Sequence, residues 1–550
     1  MARRAHVYPQ VAATAADLVD GSVVGVPPAL AARDAARLAR RRNADVVAVG
    51  RGAYALREDA ARAEALGLGD LAVRRLIRPL PVVPAREREV AVRRRLAAGA
   101  PGVVVMQGRA PLGVVRRSIA PAVVSMRPRL ERWLDADSLA LLATVGRLAE
   151  AHGARAYAVG GVVRDAWLPR ARVPRDLDVV VEGDALIVAR ALAEAVHGTL
   201  IEHARFLTAS VALRDGRSVD VVTARSERYG GAGSLPRVMP AGMGEDLRRR
   251  DFAVNAMAVE LASGSFGLLD PLGGRDDVDR RRLRVLHPLS FVEDPTRIFR
   301  AARYAARLDF ALDAWSARCR ALALELAPYG ELSPARLVAE LELILADAEP
   351  GRALAALARA GVFRLLDPRY RATRAGIARL AAMPATLAWA RTHGLTVEGV
   401  ELIATTLTAE APPEIASAMV RRLGLTGAPL DRVRDALARA PALRERVRAP
   451  GPTSAAARAV REAGPTALAW LDLTNGASTR PAVERLLTRV GRARPELAGD
   501  TLIALGVAKG PDVARVLGAL RDARLDGKIR DRQGEIDYVR GWLQHGEKEG

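Results

Sequence analysis

Residues 156–185 read AYAVGGVVRDAWLPRARVPRDLDVVVEGDA. The apolar run AYAV meets Gly160-Gly161, a helix-like VVRD follows, and a second β-branched run carries Asp176 and Asp178. Side chains two apart on a strand project from the same face. Asp176 and Asp178 therefore stand together, with Leu177 turned into the core. Carboxylates this close repel and raise one another's pKa unless a cation lies between them. Magnesium takes carboxylate and phosphate oxygens together. Two such ions can activate an attacking hydroxyl and stabilise a leaving oxygen in phosphoryl-type transfer. Glycines let the backbone approach a phosphate, and a helix start there offers it free N–H groups. Alone, an Asp-x-Asp pair at a strand edge is commonly a solvated end. The preceding Gly-Gly-Val-Val-Arg-Asp shifts the reading toward chemistry.

The 550-residue chain is half hydrophobic and about a quarter charged, a composition that folds. Its length predicts several domains. No apolar run reaches the roughly 18 residues that span a bilayer, and no apolar core follows the basic start, so a cytoplasmic protein with no membrane partner is expected. One cysteine, Cys319, excludes a disulfide framework and a cysteine zinc cluster within the chain, and its helical apolar setting places it in the core. The seven histidines show no metal-ligand spacing. A net charge of +21 suits a polyanionic partner. Arginine usage biased by a GC-rich genome is the competing explanation, since only Lys509, Lys528 and Lys548 are lysines.

The first 125 residues carry an internal repeat. VPPALAARDAARLARRRNADVVAV from Val26 returns at Val83 as VPAREREVAVRRRLAAGAPGVVVM, an offset of 57. Each copy predicts a helix followed by a β-branched strand. Residues 126–152 read as one helix. Asp215-Gly216 reads as a hairpin turn between TASVALR and SVDVV. From about residue 290 the pattern is helical, punctuated at prolines that include Pro328, Pro350, Pro384 and Pro465. Ser333-Pro334 reads as an N-cap followed by proline at the first helical position. The Gly/Pro-rich stretch 226–247 is long for a loop, which suggests either function or disorder.

Five ordered segments carry a family resemblance. They are GGVVRDAWLP with DLDVVV, LRRRDFAVNAMAVE (247–260), LLDPLGGRDDV (268–278), FVEDPTRIFRAARYAARLDF (291–310) and SPARLVAEL (333–341). In this order they resemble the class II tRNA nucleotidyltransferase and bacterial poly(A) polymerase family. LAGDTLIALGVAKGPDVARVL (497–517) is similar to its tail signature. The resemblance implies an α/β head with the nucleotidyltransferase fold and a mixed sheet, then an all-α body and tail. The expected divisions are a module over 1–125, the head over 126–285, a nucleotide-recognition neck over 286–350, and an RNA-binding body and tail over 351–550. The duplicated 1–125 region resembles a tandem CBS-domain pair, which implies an adenosine nucleotide or a second copy of the chain as its partner. Where that family holds ribose with Ser/Thr and an Asp three residues on, Ser118-Ile119-Ala120-Pro121 stands instead, with proline in place of the acid.

Carried over residue by residue, the resemblance makes Asp176 and Asp178 ligands of two Mg2+ ions. A third carboxylate on a neighbouring strand often completes such a site, and Asp220, flanked by Val219 and Val221, has the alternation for that catalytic place, a solvent-facing hairpin residue being the other reading. Gly160 and Gly161 would approach the triphosphate, and Arg164 belongs to the same motif. Arg250, Asp251 and Asn255 would bind the nucleotide sugar and triphosphate. Asp294 and Arg297 would pair with the incoming base. A carboxylate accepts from an exocyclic amino group and a guanidinium donates in a planar fork, which matches cytosine and adenine and leaves buried groups unpaired against guanine and uracil. Three apart, Asp294 and Arg297 would share a helix face, continued by Arg300, Arg303 and Arg307, which would meet triphosphate or RNA phosphate. Without the other motifs the pair would read as a surface ion pair of about 0.2–0.5 kcal/mol.

The expected function is template-independent addition of C and A to tRNA 3′ ends from CTP and ATP. A poly(A) polymerase, or an enzyme adding only CC or only A, shares every motif. A non-catalytic nucleotide-sensing RNA-binding protein and a small-molecule nucleotidyltransferase are the rivals of other classes.

Overall fold

The computed structural model describes residues 13–117, 124–169, 176–262 and 266–546, the side chains of 492, 545 and 546 aside. It divides into two compact units, Met1–Leu332 and Ser333–Gly550.

The 57-residue repeat is present as a duplicated unit. The first copy runs β1 (Val23–Val26), α1 (Ala32–Arg41), β2 (Val46–Val49), β3 (Tyr54–Leu56), with α2 (Arg57–Ala65) after it. The second runs β4 (Val82–Pro84), α3 (Glu89–Ala97), β5 (Gly102–Gln107), β6 (Ala110–Arg116). Each copy makes a three-stranded sheet whose first pair is parallel and second antiparallel. Ser118 to Pro121 lie outside the described residues.

The expected helix over 126–152 is two: α4 (Arg127–Trp133) and α5 (Ala136–Ala151). Asp135 breaks the run by capping the second, its carboxylate accepting from the Ser138 N–H at 2.6 Å.

The head follows as β7 (Arg155–Val159), α6 (Gly161–Asp165), β8 (Asp176–Glu182), α7 (Ala185–Ala195), β9 (Thr199–His203), β10 (Thr208–Ala212) and β11 (Ser218–Thr223). After them come β12 (Arg225–Arg228), β13 (Arg237–Pro240), α8 (Met243–Arg248), β14 (Ala258–Glu260), β15 (Leu268–Leu269) and α9 (Gly274–Asp279). Its seven-stranded sheet has the order β15-β14-β7-β8-β11-β10-β9. The sheet is mixed, because β8 and β11 are parallel and the other pairs antiparallel. Gly216, at φ +83°, turns the β10–β11 hairpin as Asp-Gly predicts. Stretch 226–247 is not a bare loop, since β12 and β13 pair antiparallel within it.

Short strands β16 (Arg282–Leu283) and β17 (Ala311–Leu312) bracket α10 (Ser290–Glu293) and α11 (Thr296–Leu308), and α12 (Ala314–Glu325) follows. The N-terminal region is tied to these helices. Buried Arg78 pairs with buried Asp59 through Nη2 at 2.6 Å and donates from Nη1 to the Leu286 carbonyl at 2.7 Å. The Trp315 indole donates to the Ile77 carbonyl at 2.9 Å, and Arg75 reaches Glu325 at 2.5 and 3.1 Å. Cys319 is buried, as expected.

Helices are the regular structure of the second unit among its described residues. Ser333 caps its first helix, Pro334–Leu345, with Pro334 in the first turn. One core gathers Leu443, Leu468, Leu471 and Val483, and another gathers Leu502, Val516, Leu520 and Val539. Pro384 does not end a helix: Arg374–Thr392 runs through it, anchored on its buried Leu380, Met383 and Trp389. The long run Thr453–Arg492 leaves helical geometry at Gly464, φ +77°, and at Asn475, so Pro465 opens a new helical segment. No described helix is long and apolar enough to cross a membrane.

Candidate active site

The site begins on β8. Its first three residues alternate exposed, buried, exposed, so Asp176 and Asp178 share the open face and Leu177 fills the core. Parallel pairing sets Asp220 of β11 directly beside Asp178, and Ser218 beside Asp176. Two hydroxyls fix the flanking acids. Ser218 donates to Asp176 Oδ1 at 2.7 Å, and Ser210 of β10 donates to Asp220 Oδ1 at 2.5 Å. Asp178 holds the middle. Loss of water around it, then the Asp220 and Asp176 charges, raise its carboxyl above the ordinary value, against the pull of Arg250.

Gly160 closes the site from the adjacent strand. At φ +65° it adopts a backbone that side chains rarely take, and a Cβ there would stand 3.5 Å from Arg250 Nη1 and 3.8 Å from Asp178 Oδ2. The glycine turn thus brings main chain, carboxylate and guanidinium to one point. Gly161 opens α6 beside it.

A chain of buried polar contacts leads from there to α11. Arg250 donates to the Asn255 carbonyl at 3.4 Å, and Arg164 donates to Asn255 Oδ1 at 2.6 Å and to Asp165 at 2.7 Å. The Asn255 amide donates to Asp251 at 3.1 Å, and Arg300 pairs with Asp251 at 2.7 Å. Burial would raise the Asp251 carboxyl, but Arg300, the Asn255 amide and Arg297 overcome it and hold it below the ordinary value. Arg303 and Arg307 lean on the Tyr304 ring at 5.4 and 5.2 Å, and Arg164 lies 5.7 Å from the same ring.

Asp294 and Arg297 are neighbours, though not as members of one helix. Asp294 is extended (φ −134°, ψ 95°), and its carboxylate accepts from the Thr296 N–H at 3.0 Å and hydroxyl at 2.6 Å. This cap, which starts α11, is the physical reason that the shared-face expectation fails. Arg297, on the helix and 4 % exposed, lies 3.9 Å from the Asp294 carboxylate. It donates to Ser290 Oγ at 2.7 Å, the Arg249 carbonyl at 2.9 Å and Tyr229 Oη at 3.4 Å.

Two organising groups had no clear sequence signal. Asp246, fully buried, receives Arg249 at 2.6 Å and Arg250 at 2.9 Å, and so aims both arginines. Acidic residues in a first helical turn are ordinary, and nothing in the motif singles this one out. Tyr229 reaches Arg297 from the far end of the Gly/Pro-rich stretch, a contact that only tertiary folding creates.

The donor set suits a hard divalent cation, with oxygen ligands only and mutual repulsion to relieve. Among the described residues no group of three His, Cys, Asp or Glu side chains is gathered as a complete metal cage. A site that shares its ion with substrate phosphates needs fewer protein ligands than a cage. A stability consequence follows. A carboxyl whose folded pKa is raised loses stabilisation as pH rises through that value, so ionised Asp178 carries a cost at neutral pH. In metal-free protein, Asp178→Asn is expected to raise Tm at about pH 7.5, the gap closing near about pH 3. Thermal melts in chelator check this, and equal Tm values at the higher pH would refute it.

Residues 156–284 match the family model described as the poly A polymerase head domain. An A-adding tRNA nucleotidyltransferase of Geobacter sulfurreducens is 31% identical over 421 residues, 74% of this chain and 47% of that protein. A CC-adding tRNA nucleotidyltransferase of Deinococcus radiodurans is 36% identical over 392 residues, 70% of this chain and 88% of that one. The Thermotoga maritima CCA-adding enzyme, solved in complex with tRNA, superposes with a TM-score of 0.64 at 27% identity, over 76% of this chain and 99% of its own. The chain spans about half the length of the two A-adding relatives from Geobacter sulfurreducens and Halalkalibacterium halodurans. With the acidic strand pair, the glycine turn and the Asp246-aimed arginines in place, the chain belongs to the class II tRNA nucleotidyltransferase family.

Proposed function

We propose that this protein adds C and A nucleotides to the 3′ end of tRNA in the cytoplasm, using CTP, ATP and Mg2+. The observation that carries the reading is the convergence of Asp178, Asp220, Gly160 and Arg250 at the beginning of the parallel β8–β11 pair. Bound at Asp176 and Asp178, divalent ions would supply activation of the attacking hydroxyl and neutralisation of the leaving oxygen. The chain's own residues do the rest. The backbone at Gly160 and Gly161 admits the triphosphate, and Arg250 places positive charge beside it. The terminal tRNA hydroxyl attacks the α-phosphate, the α–β phosphoanhydride breaks, and pyrophosphate departs. Asp294 and Arg297 choose the base by offering an acceptor and a planar donor. The head (126–285), neck (286–350) and helical body and tail (351–550) divide transfer, base choice and RNA grip, the last by backbone charge. The 1–125 module takes a CBS-like role, for an adenosine nucleotide or for pairing with a second copy. Its duplicated β-α-β-β unit supports this.

Relatives named A-adding and CC-adding give weight to a narrower reading, in which only part of the triplet is added. Incubating tRNA that lacks its last three nucleotides, and tRNA ending in CC, with each labelled nucleotide separates the readings by product length. Extension by three residues and then arrest is expected. Arrest after CC, or extension only of the CC-ended tRNA, assigns the partial enzyme. A long A tail assigns the polymerase, and no product from any substrate overturns the enzyme reading.

A further inference from the structure

Glu293 precedes Asp294, and its carboxylate is held by groups from two parts of the fold. Arg62, on α2 of the N-terminal module, donates Nη1–H to Oε1 at 2.7 Å. His287 Nε2 lies 3.1 Å from Oε2. Because a carboxylate only accepts, the ring proton sits on Nε2. Nδ1 is buried with no hydrogen-bond partner among the described residues, which suits a bare lone pair and a neutral ring. Burial, then the Arg62 charge, push this imidazole down to about 4, so at neutral pH it gives Glu293 a hydrogen bond but no charge. Arg62 is the cation. Burial would raise the Glu293 carboxyl, but His287, then Arg62 and Arg297, hold it well below the carboxylate range.

Arg297, the base-selecting guanidinium, thus feels Glu293 as well as Asp294. Main chain adds to the confinement, since the Gly233 N–H donates to the carbonyls of Val292 at 3.0 Å and Glu293 at 3.2 Å. With Arg62 removed, an ionised and buried Glu293 would have Arg297 as its remaining cation and would compete with Asp294 for it. We infer that Arg62 of the N-terminal module is a positioning residue for base selection: it occupies Glu293, so that Arg297 and Asp294 keep the geometry that reads the incoming base. This rests on the base-pairing role proposed for Asp294 and Arg297. It assigns the N-terminal module a part in nucleotide choice, through a side chain that meets neither substrate.

The test compares Arg62→Ala, Arg62→Lys, Arg75→Ala and Arg297→Ala in the full chain. Arg75 is the control for docking alone, because it joins the same module to Glu325 of α12 and touches no motif residue. The readouts are kcat and KM for CTP and ATP, misincorporation of GTP and UTP, KM for tRNA, and Tm. Arg62→Ala should raise KM for the correct nucleotides and reduce discrimination by roughly tenfold, the range seen when a group orienting a ligand-contacting residue is lost. Arg62→Lys should restore most of it, and Arg75→Ala should leave discrimination and tRNA KM unchanged. A uniform fall in kcat with all four nucleotides at unchanged ratios, or equal behaviour of Arg62→Ala and Arg75→Ala, overturns the assignment. If Arg297→Ala itself leaves discrimination intact, the base-pairing role fails first and this assignment falls with it. Should Arg62→Ala not fold, Arg62→Gln, which keeps a donor and removes the charge, takes its place under the same criteria.

Discussion

Asp178→Ala is expected to abolish nucleotide incorporation, by about a thousandfold or more, and to leave tRNA binding near wild type. That is the scale of loss when a group that stabilises developing charge is removed. The neighbours cannot substitute. Asp176 and Asp220 each have one oxygen engaged, by Ser218 and Ser210, and Asp178 sits between them with its carboxyl raised by both. Alanine would relieve the repulsion and remove the central ligand together. Single-turnover incorporation of labelled CTP and ATP measures the loss, and filter binding of tRNA gives the control. Activity within tenfold of wild type would remove Asp178 from the chemistry.

Arg297→Ala should act differently, keeping transfer but relaxing base choice. A guanidinium has five N–H donors. Ser290, the Arg249 carbonyl and Tyr229 engage three of them and Nε faces the Asp294 carboxylate at 3.9 Å, which leaves one Nη1 hydrogen for the base. Losing a charged hydrogen bond costs roughly 1.5–3 kcal/mol, or about 10–100-fold in discrimination. Competition assays of CTP and ATP against GTP and UTP on one tRNA check it, and wild-type ratios in the variant would refute base pairing by this side chain.

Much of this arrangement is legible in sequence, because alternation and register are periodic properties. Asp-x-Asp on a β-branched run already implies one face, and VDVV places Asp220 on a matching strand. The 57-residue offset likewise reappears element by element, α1 starting at Ala32 and α3 at Glu89. What sequence hides are events that one side chain decides. Asp135 splits a helix whose apolar pattern is continuous, and Asp294 caps a helix where the three-residue spacing suggests membership. Pro384 is absorbed because packing outweighs its lost hydrogen bond. The Arg62–Glu293 pair spans 231 positions, and no local pattern encodes that separation.

The attachment of the N-terminal region to the neck bears on how the protein can be trimmed. A shortened chain starting at residue 126 would strip the Leu286 carbonyl, the Trp315 indole and Glu293 of these partners and of the cover that the same region gives them. A chain cut at the head would therefore present to solvent a surface that the N-terminal region now covers.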